Sequence, residues 1–238
     1  MSIQVFDRDK GQDQLVRDRK HHSAFPKGFY ANYGKRALDI LSATAGLILL
    51  SPVLGLVACC IKLNSRGPVL YRQLRVGKDG RPFQIMKFRS MVMQASKTDL
   101  GITIDGDPRV TAIGKVLRRY KVDELPQLWN VICGDMSLVG PRPELPVYVA
   151  EYTLDQYTVL SARPGITDPA SLAYRHEEKI LADQSDPEQF YRTQILPDKL
   201  ARNMAYIQKI TLRDDLRIIL KTVSSSFLLS GNTQARSK

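Results

Sequence analysis

The stretch ILSATAGLILLSPVLGLVACCI, from Ile40 to Ile61, is a run of 22 uncharged residues. As one helix it rises about 33 Å, close to the roughly 30 Å of bilayer hydrocarbon, so a single spanning helix is one reading. Ser51-Pro52 near its middle supports another. Proline removes a backbone donor and crowds the preceding turn, and it pushes Ser51 away from helical geometry. Each arm then measures about 15 Å, half the bilayer depth. Lys35 and Arg36 precede the stretch, and Lys62, Arg66, Arg72 and Arg75 follow it. The positive-inside rule draws both basic flanks to one face. The expected element is therefore a re-entrant membrane helix over residues 29–66, broken at Ser51 and Pro52, with the Ser51 hydroxyl serving freed backbone groups. Phe29, Tyr30 and Tyr33 suit the approach to the membrane interface.

The remainder is long enough, within 238 residues, for one domain with its own core. Lys plus Arg outnumber Asp plus Glu by 35 to 24, a formal charge of +11. That excess favours anionic partners: phosphorylated substrates, anionic lipid headgroups or nucleic acid. A basic nucleic-acid binder would leave the apolar stretch unexplained, so no nucleic-acid partner is expected. Three cysteines, Cys59, Cys60 and Cys133, show no zinc spacing and no sign of an oxidising compartment. A cleaved signal peptide is not expected, because the apolar run starts late and is too long. Residues 1–28, including His21-His22, read as a polar, loosely ordered extension.

Beyond Gly67-Pro68, Val69–Val76 and Pro82–Met91 are β-prone and flank the turn chemistry of Gly77-Lys78-Asp79-Gly80, which predicts a hairpin. Lys87 and Arg89 lie two apart in the second strand and so share a face. Either they clamp a phosphate or they form an ordinary solvated strand face. Asp105-Gly106-Asp107 matches a short metal-holding pattern, but Asp107-Pro108 reads better as a turn. Near the C-terminus, Leu216, Ile219, Leu220, Val223 and Phe227 recur at helical spacing beside Arg213, Arg217 and Lys221. That is an amphipathic helix, suited to a headgroup layer or to a soluble core.

The chemistry-bearing segment runs from Arg118 to Arg142. Asp123-Glu124 follows Arg118, Arg119 and Lys121, and Pro126 comes shortly after. Proline fits only the first turn of a helix, so Asp123 is a candidate N-cap and Glu124 a dipole partner. Set among cations, the same two carboxylates are also candidates for phosphoryl chemistry. Gly140-Pro141-Arg142-Pro143 is a stiff loop that presents a guanidinium, and arginine binds phosphate in bidentate fashion. No Walker loop is present, which disfavours ATP-dependent transfer.

Several motifs occur in order: Lys35-Arg36-Ala37-Leu38-Asp39, Ser51-Pro52, Lys87-Phe88-Arg89-Ser90-Met91, Asp123-Glu124-Leu125-Pro126-Gln127-Leu128, Gly134 through Pro143, and Arg163-Pro164-Gly165-Ile166-Thr167. From about Tyr33 to Val223 the chain resembles the bacterial sugar transferases, the monotopic polyprenol-phosphate phosphoglycosyl transferases, in their minimal form. The resemblance implies an α+β monotopic membrane protein with an N-terminal re-entrant helix hairpin, amphipathic interfacial helices and a small cytoplasmic catalytic domain. The divisions expected are an extension at 1–28, the membrane helix at 29–66, a catalytic domain at 67–224 and a tail at 225–238.

The activity implied is transfer of a sugar 1-phosphate from a UDP-sugar to undecaprenyl phosphate, giving undecaprenyl-diphosphate-sugar and UMP. The resemblance implies Asp123 as a nucleophile that carries the sugar phosphate and touches Mg²⁺, with Glu124 as its catalytic neighbour in proton transfer or lipid-phosphate positioning. It implies Lys87, Arg118, Asp135 and Arg142 as substrate phosphate-binding residues. The location implied is the bacterial inner membrane, on its anionic cytoplasmic surface; a homodimer is left open. A non-catalytic membrane scaffold of the same fold is the alternative. One departure stands out: many relatives continue Arg-Pro-Gly-Ile-Thr with Gly-Trp, whereas here Asp168-Pro169 follows.

Overall fold

A computed structural model describes residues 28–92 and 103–227. Residues 1–27, with His21-His22, and 228–238 of the expected tail lie outside the described residues.

After a π-helical turn at Tyr30–Gly34, α1 runs from Lys35 to Asn64. The helix continues through Pro52, where two separate arms were expected. The cause is local. Proline lacks the N–H that would bond the Ile48 carbonyl, and the Ser51 hydroxyl donates to that carbonyl at 2.8 Å instead. The Ser51 hydroxyl thus serves the carbonyl that Pro52 frees, as expected, while the helix is bonded on past the proline. Among the described residues this is one helix long and apolar enough to cross a membrane, and its apolar window is almost wholly outward-facing. Ile48, Leu49, Val53 and Leu56 form its exposed middle.

Both ends of α1 are fastened to the same body. At the first end, Arg36 donates to the carbonyls of Val131 (2.7 Å) and Ile132 (3.1 Å). Asp39, buried, accepts from the Leu138 N–H at 2.9 Å. Ala43 is buried there with Ile85, Leu128, Val131 and Met136. At the second end, Ile61 is buried with Phe88 and Leu117. Arg89 donates to the carbonyls of Ser65 (2.7 Å) and Arg66 (2.8 Å) just beyond α1.

β1 (Leu70–Val76) and β2 (Pro82–Phe88) form the expected antiparallel hairpin, from Leu70 opposite Phe88 to Val76 opposite Pro82. Asp79 and Gly80 take left-handed conformations in its turn. The helices α2 (Ala112–Arg119) and α3 (Gln127–Cys133) follow. Next comes a parallel pair, β3 (Ser137–Val139) and β4 (Gly165–Thr167). The short helix α4 (Pro146–Val149) lies between these two strands in sequence. The chain ends in α5 (Pro169–Ala173), α6 (Glu177–Ala182), α7 (Pro187–Phe190), α8 (Leu196–Ile207) and α9 (Leu212–Phe227). Their main core is built on Val139, Tyr148, Tyr191, Ile195, Leu200 and Ile207.

At the end of β3 the backbones of Gly140 and Gly165 touch, and a Cβ on either would collide with the other strand's main chain. This close approach starts the loop that carries Arg142. Gly165→Ala is expected to cost about 2–4 kcal/mol, as overpacking against unyielding backbone does. Chemical denaturation checks this, with a lowered midpoint at unchanged slope as the expected result.

The C-terminal amphipathic helix is α9. Ile218 and Asp215 face the core, while Leu212, Leu216, Leu220 and Val223 are exposed beside exposed Arg213, Arg217 and Lys221. One face of α9 thus packs on the main core through Ile218 and Ile219, and another leaves an apolar stripe open next to a basic one.

Candidate active site

The chain leaves α2 through Tyr120 and then Lys121, which takes the left-handed conformation (φ 58°). Such a conformation is uncommon for a residue with a side chain and is found where local geometry is imposed from outside. It turns the backbone into a 3₁₀ turn, Val122–Glu124, that runs through helical Leu125 and Pro126 into α3. Pro126 sits at the helix mouth, as its chemistry requires. Asp123 does not cap that helix: no side-chain cap bond is made at the start of α3, and Asp123 Oδ1 is buried without a hydrogen-bond partner. The capping reading therefore fails, and a buried unpartnered carboxylate oxygen is left to explain.

Glu124 is also buried, but it has charged partners. Its Oε1 accepts from Lys87 Nζ at 2.8 Å and from Arg142 at 2.7 Å. β2 supplies the lysine, and the loop after β3 supplies the arginine. Lysine has three N–H donors and arginine five, so bonding Glu124 leaves each cation donors for an arriving phosphate.

The two neighbouring acids titrate in opposite directions. Burial raises the Asp123 carboxyl above the usual carboxylate range, and the Glu124 charge adds to this. Burial alone would raise Glu124 too, but Arg142 and Lys87 together hold it well below its usual value. Burial lowers Lys87 against the pull of Glu124. Glu124 is thus held ionised between its two cations.

The other expected site residues are placed differently. Arg118 pairs with Glu178 at 2.6 Å and reaches Asp123 only through its field. Asp135 bonds with Asn130 at the far end of α3, about 10 Å along the helix from its start. Arg89 still bonds the Val69 carbonyl through its backbone N–H (2.9 Å) at the edge of the hairpin, but its side chain holds the end of α1 instead. Asp105-Gly106-Asp107 is a turn, with Gly106 left-handed and Asp107 gripped by Arg109 at 2.6 Å. Asp168 has no exposure; it caps α5 by accepting from Ala170 N–H (2.8 Å), Ser171 N–H (3.0 Å) and the Ser171 hydroxyl. The departure at Asp168-Pro169 is thus a helix start, although its charge lies within the field of Arg142.

Two residues not assigned from sequence matter here. Asn130 accepts from Met86 N–H (3.0 Å) and donates to the Gln84 carbonyl (2.8 Å), fixing α3 against the strand that carries Lys87. Gln127 is 1% exposed, and its Nε2 has no partner. Neither stands out in sequence, since a polar residue in a short helix is ordinary there.

Among the described residues no three His, Cys, Asp or Glu side chains cluster as a metal site. Asp123 Oδ1 alone is a free buried carboxylate oxygen at the carboxylate pair. One carboxylate plus substrate phosphates is a common way to hold Mg²⁺, so the residues fit that ion in that form.

A buried carboxylate pair set among cations, beside an outward-facing apolar helix, defines a membrane-associated protein equipped for phosphate chemistry. The sequence pattern of the bacterial sugar transferases matches residues 30–228, and the chain belongs to that family. It is 40% identical over 205 residues to the UDP-N-acetylgalactosamine-undecaprenyl-phosphate N-acetylgalactosaminephosphotransferase of Aeromonas hydrophila, a match that covers 84% of this chain and 45% of that protein. It is 41% identical over 194 residues to the UDP-glucose:undecaprenyl-phosphate glucose-1-phosphate transferase of Caulobacter vibrioides, covering 80% and 68%. A third relative is exopolysaccharide production protein PSS of Rhizobium leguminosarum bv. phaseoli, 38% identical over 203 residues, covering 80% and 94%. The chain thus spans less than half of the first relative and most of the third.

Proposed function

We propose that the protein transfers a sugar 1-phosphate from a UDP-sugar to undecaprenyl phosphate, releasing UMP. The observation that carries this reading is the buried, unpartnered Asp123 Oδ1 beside Glu124, Lys87 and Arg142, in a chain whose relatives bear names of that activity.

Asp123 is the nucleophile. Its carboxylate oxygen bonds to the sugar-bearing phosphorus while the bond from that phosphorus to the UMP oxygen breaks. An oxygen of the lipid phosphate then attacks the same phosphorus, and the Asp123 carboxylate is restored. A raised pKa makes Asp123 a more basic, less stabilised nucleophile than a solvated aspartate. Lys87 and Arg142, held by Glu124, offer their remaining N–H donors to the substrate phosphates. Bound Mg²⁺, held by Asp123 together with the substrate, supplies charge neutralisation on the diphosphate.

Packing supports a re-entrant membrane arrangement. Because both ends of α1 are fastened to one body, its exposed apolar middle enters the bilayer and returns to the same side. The open stripe of α9 rests in the headgroup layer, with its arginines and lysine towards anionic lipid. The site then meets the lipid phosphate at the cytoplasmic face of the inner membrane. Single cysteines placed at residues 34 and 66, in a background lacking Cys59, Cys60 and Cys133, are expected to react with the same cytoplasmic-side reagent; reaction on opposite sides would contradict re-entry.

UMP release tests the activity. Purified protein mixed with a UDP-sugar and undecaprenyl phosphate is expected to release UMP and form lipid-linked sugar. No release across a panel of UDP-sugars would favour a non-catalytic scaffold.

A further inference from the structure

We propose that Tyr191 is a positioning residue of the transferase reaction proposed above, on which this inference rests: by holding the Glu144 carboxylate, it keeps the Arg142 guanidinium on Glu124 and in place for the donor diphosphate. Arg142 stands in the middle of a short loop whose two sides are pinned. Before it, the Gly140 N–H donates to the Thr167 carbonyl at 3.0 Å, and the Pro141 carbonyl accepts from the Gly165 N–H at 2.9 Å. After it, the Pro143 carbonyl accepts from Arg75 at 3.2 Å, and the Glu144 carbonyl accepts from the Val76 N–H at 3.1 Å.

The Glu144 side chain is buried beneath this loop. Its Oε1 accepts from the hydroxyl of Tyr191, the first residue of the π-helical turn (Tyr191–Ile195) that leads from α7 into α8, at 2.9 Å. Arg75 and Lys199 are each 3.8 Å from the same carboxylate, too far for a hydrogen bond. Both have nearer partners: Arg75 bonds Gln73 at 2.7 Å, and Lys199 bonds Glu177 at 3.0 Å. The Tyr191 hydroxyl is therefore the short bond that fixes Glu144. Burial and the Glu144 charge hold that hydroxyl well above its ordinary pKa, so it stays a donor. Glu144 lies two residues from Arg142, and its charge acts on that guanidinium along with those of Glu124 and Asp168. Without the hydroxyl, a buried carboxylate oxygen loses its bond and recovers by moving towards its cations. Pro143, with its fixed φ, passes that movement on to Arg142.

The test compares wild type with Tyr191→Phe and a control, Tyr148→Phe, by steady-state UMP release and thermal unfolding. Tyr148 packs its ring on Tyr191 (5.0 Å between centroids) and bonds Glu188, so the control removes a hydroxyl from the same core and leaves the Glu144 bond intact. Loss of folded enzyme lowers kcat and leaves KM unchanged, whereas a misplaced phosphate donor raises KM. The expected result is a donor KM raised about tenfold in Tyr191→Phe, the scale of one charge-assisted bond, with kcat within about threefold of wild type. Tyr148→Phe is expected to keep the wild-type KM, even where its unfolding temperature falls as far. Arg75→Met, which releases the Pro143 carbonyl, is expected to raise the donor KM too, and it gives the reading if Tyr191→Phe does not fold. A donor KM within about twofold of wild type in Tyr191→Phe, or raised equally in Tyr148→Phe, overturns the inference. A wild type that turns over no UDP-sugar sinks the transferase reading itself, and this inference with it.

Discussion

Asp123→Asn is expected to reduce lipid-linked product formation by more than about 10³-fold, the scale on which enzymes lose activity when a covalent nucleophile is removed. The same change is expected to stabilise the fold by about 1–3 kcal/mol at neutral pH, because it replaces a buried charge whose Oδ1 has no partner. The pH dependence is specific. With its pKa raised in the folded protein, Asp123 favours folding while protonated, below the ordinary carboxylate pKa, and that contribution is lost as pH rises through its folded value. The advantage of asparagine should therefore be largest near neutrality and shrink in acid. Chemical denaturation of both proteins across pH checks this. Loss of stability at neutral pH would mean that Asp123 is a structural group. Turnover of the wild type should also fall on the acid side, at a pH above the usual aspartate range, because the nucleophile must be ionised.

Glu124→Gln is expected to act in the opposite sense on stability. It would leave Lys87 and Arg142 facing each other without their shared carboxylate, a loss of about 3–5 kcal/mol on the scale of broken buried ion pairs. Folding depresses the pKa of Glu124, so its contribution is present above the ordinary glutamate value and lost as pH falls through the lower folded one. Wild type and variant should thus converge only in strong acid. Glu124→Gln combined with Lys87→Met should recover part of the loss, since one stranded charge is gone. A single variant as stable as wild type would mean that the pairings do not hold the site together. Adjacent acids with opposite linkage separate their roles: Asp123 is held ready at a cost to stability, while Glu124 fixes the cations.

Much of this was legible in the sequence, for physical reasons. The apolar stretch and the β1–β2 hairpin announce themselves because composition and turn chemistry act over a few residues. Asp123-Glu124 stood out because two adjacent acids followed three cations. What escaped depends on distant partners or on one atom's choice. The Ser51 hydroxyl takes the carbonyl that Pro52 leaves free, as expected, but the helix is bonded on through both residues instead of ending there. Lys87 and Arg89 are two apart in the strand, but the Arg89 side chain is taken by the carbonyls of Ser65 and Arg66, far back in the sequence. Arg118 meets Glu178, sixty residues on, and no local pattern signals that pairing. Whether Asp123 caps α3 turned on where the helix begins, which a left-handed Lys121 decides.

The central claim is that Asp123 itself carries the sugar phosphate. Intact-protein mass spectrometry after mixing with a UDP-sugar alone, without lipid acceptor, tests it most directly. The account predicts release of UMP and a mass increase equal to one sugar phosphate, mapped to Asp123 and absent from Asp123→Asn. Full turnover with lipid, but no adduct on donor alone under conditions that preserve acyl phosphates, would contradict it and point to direct transfer between the two substrates.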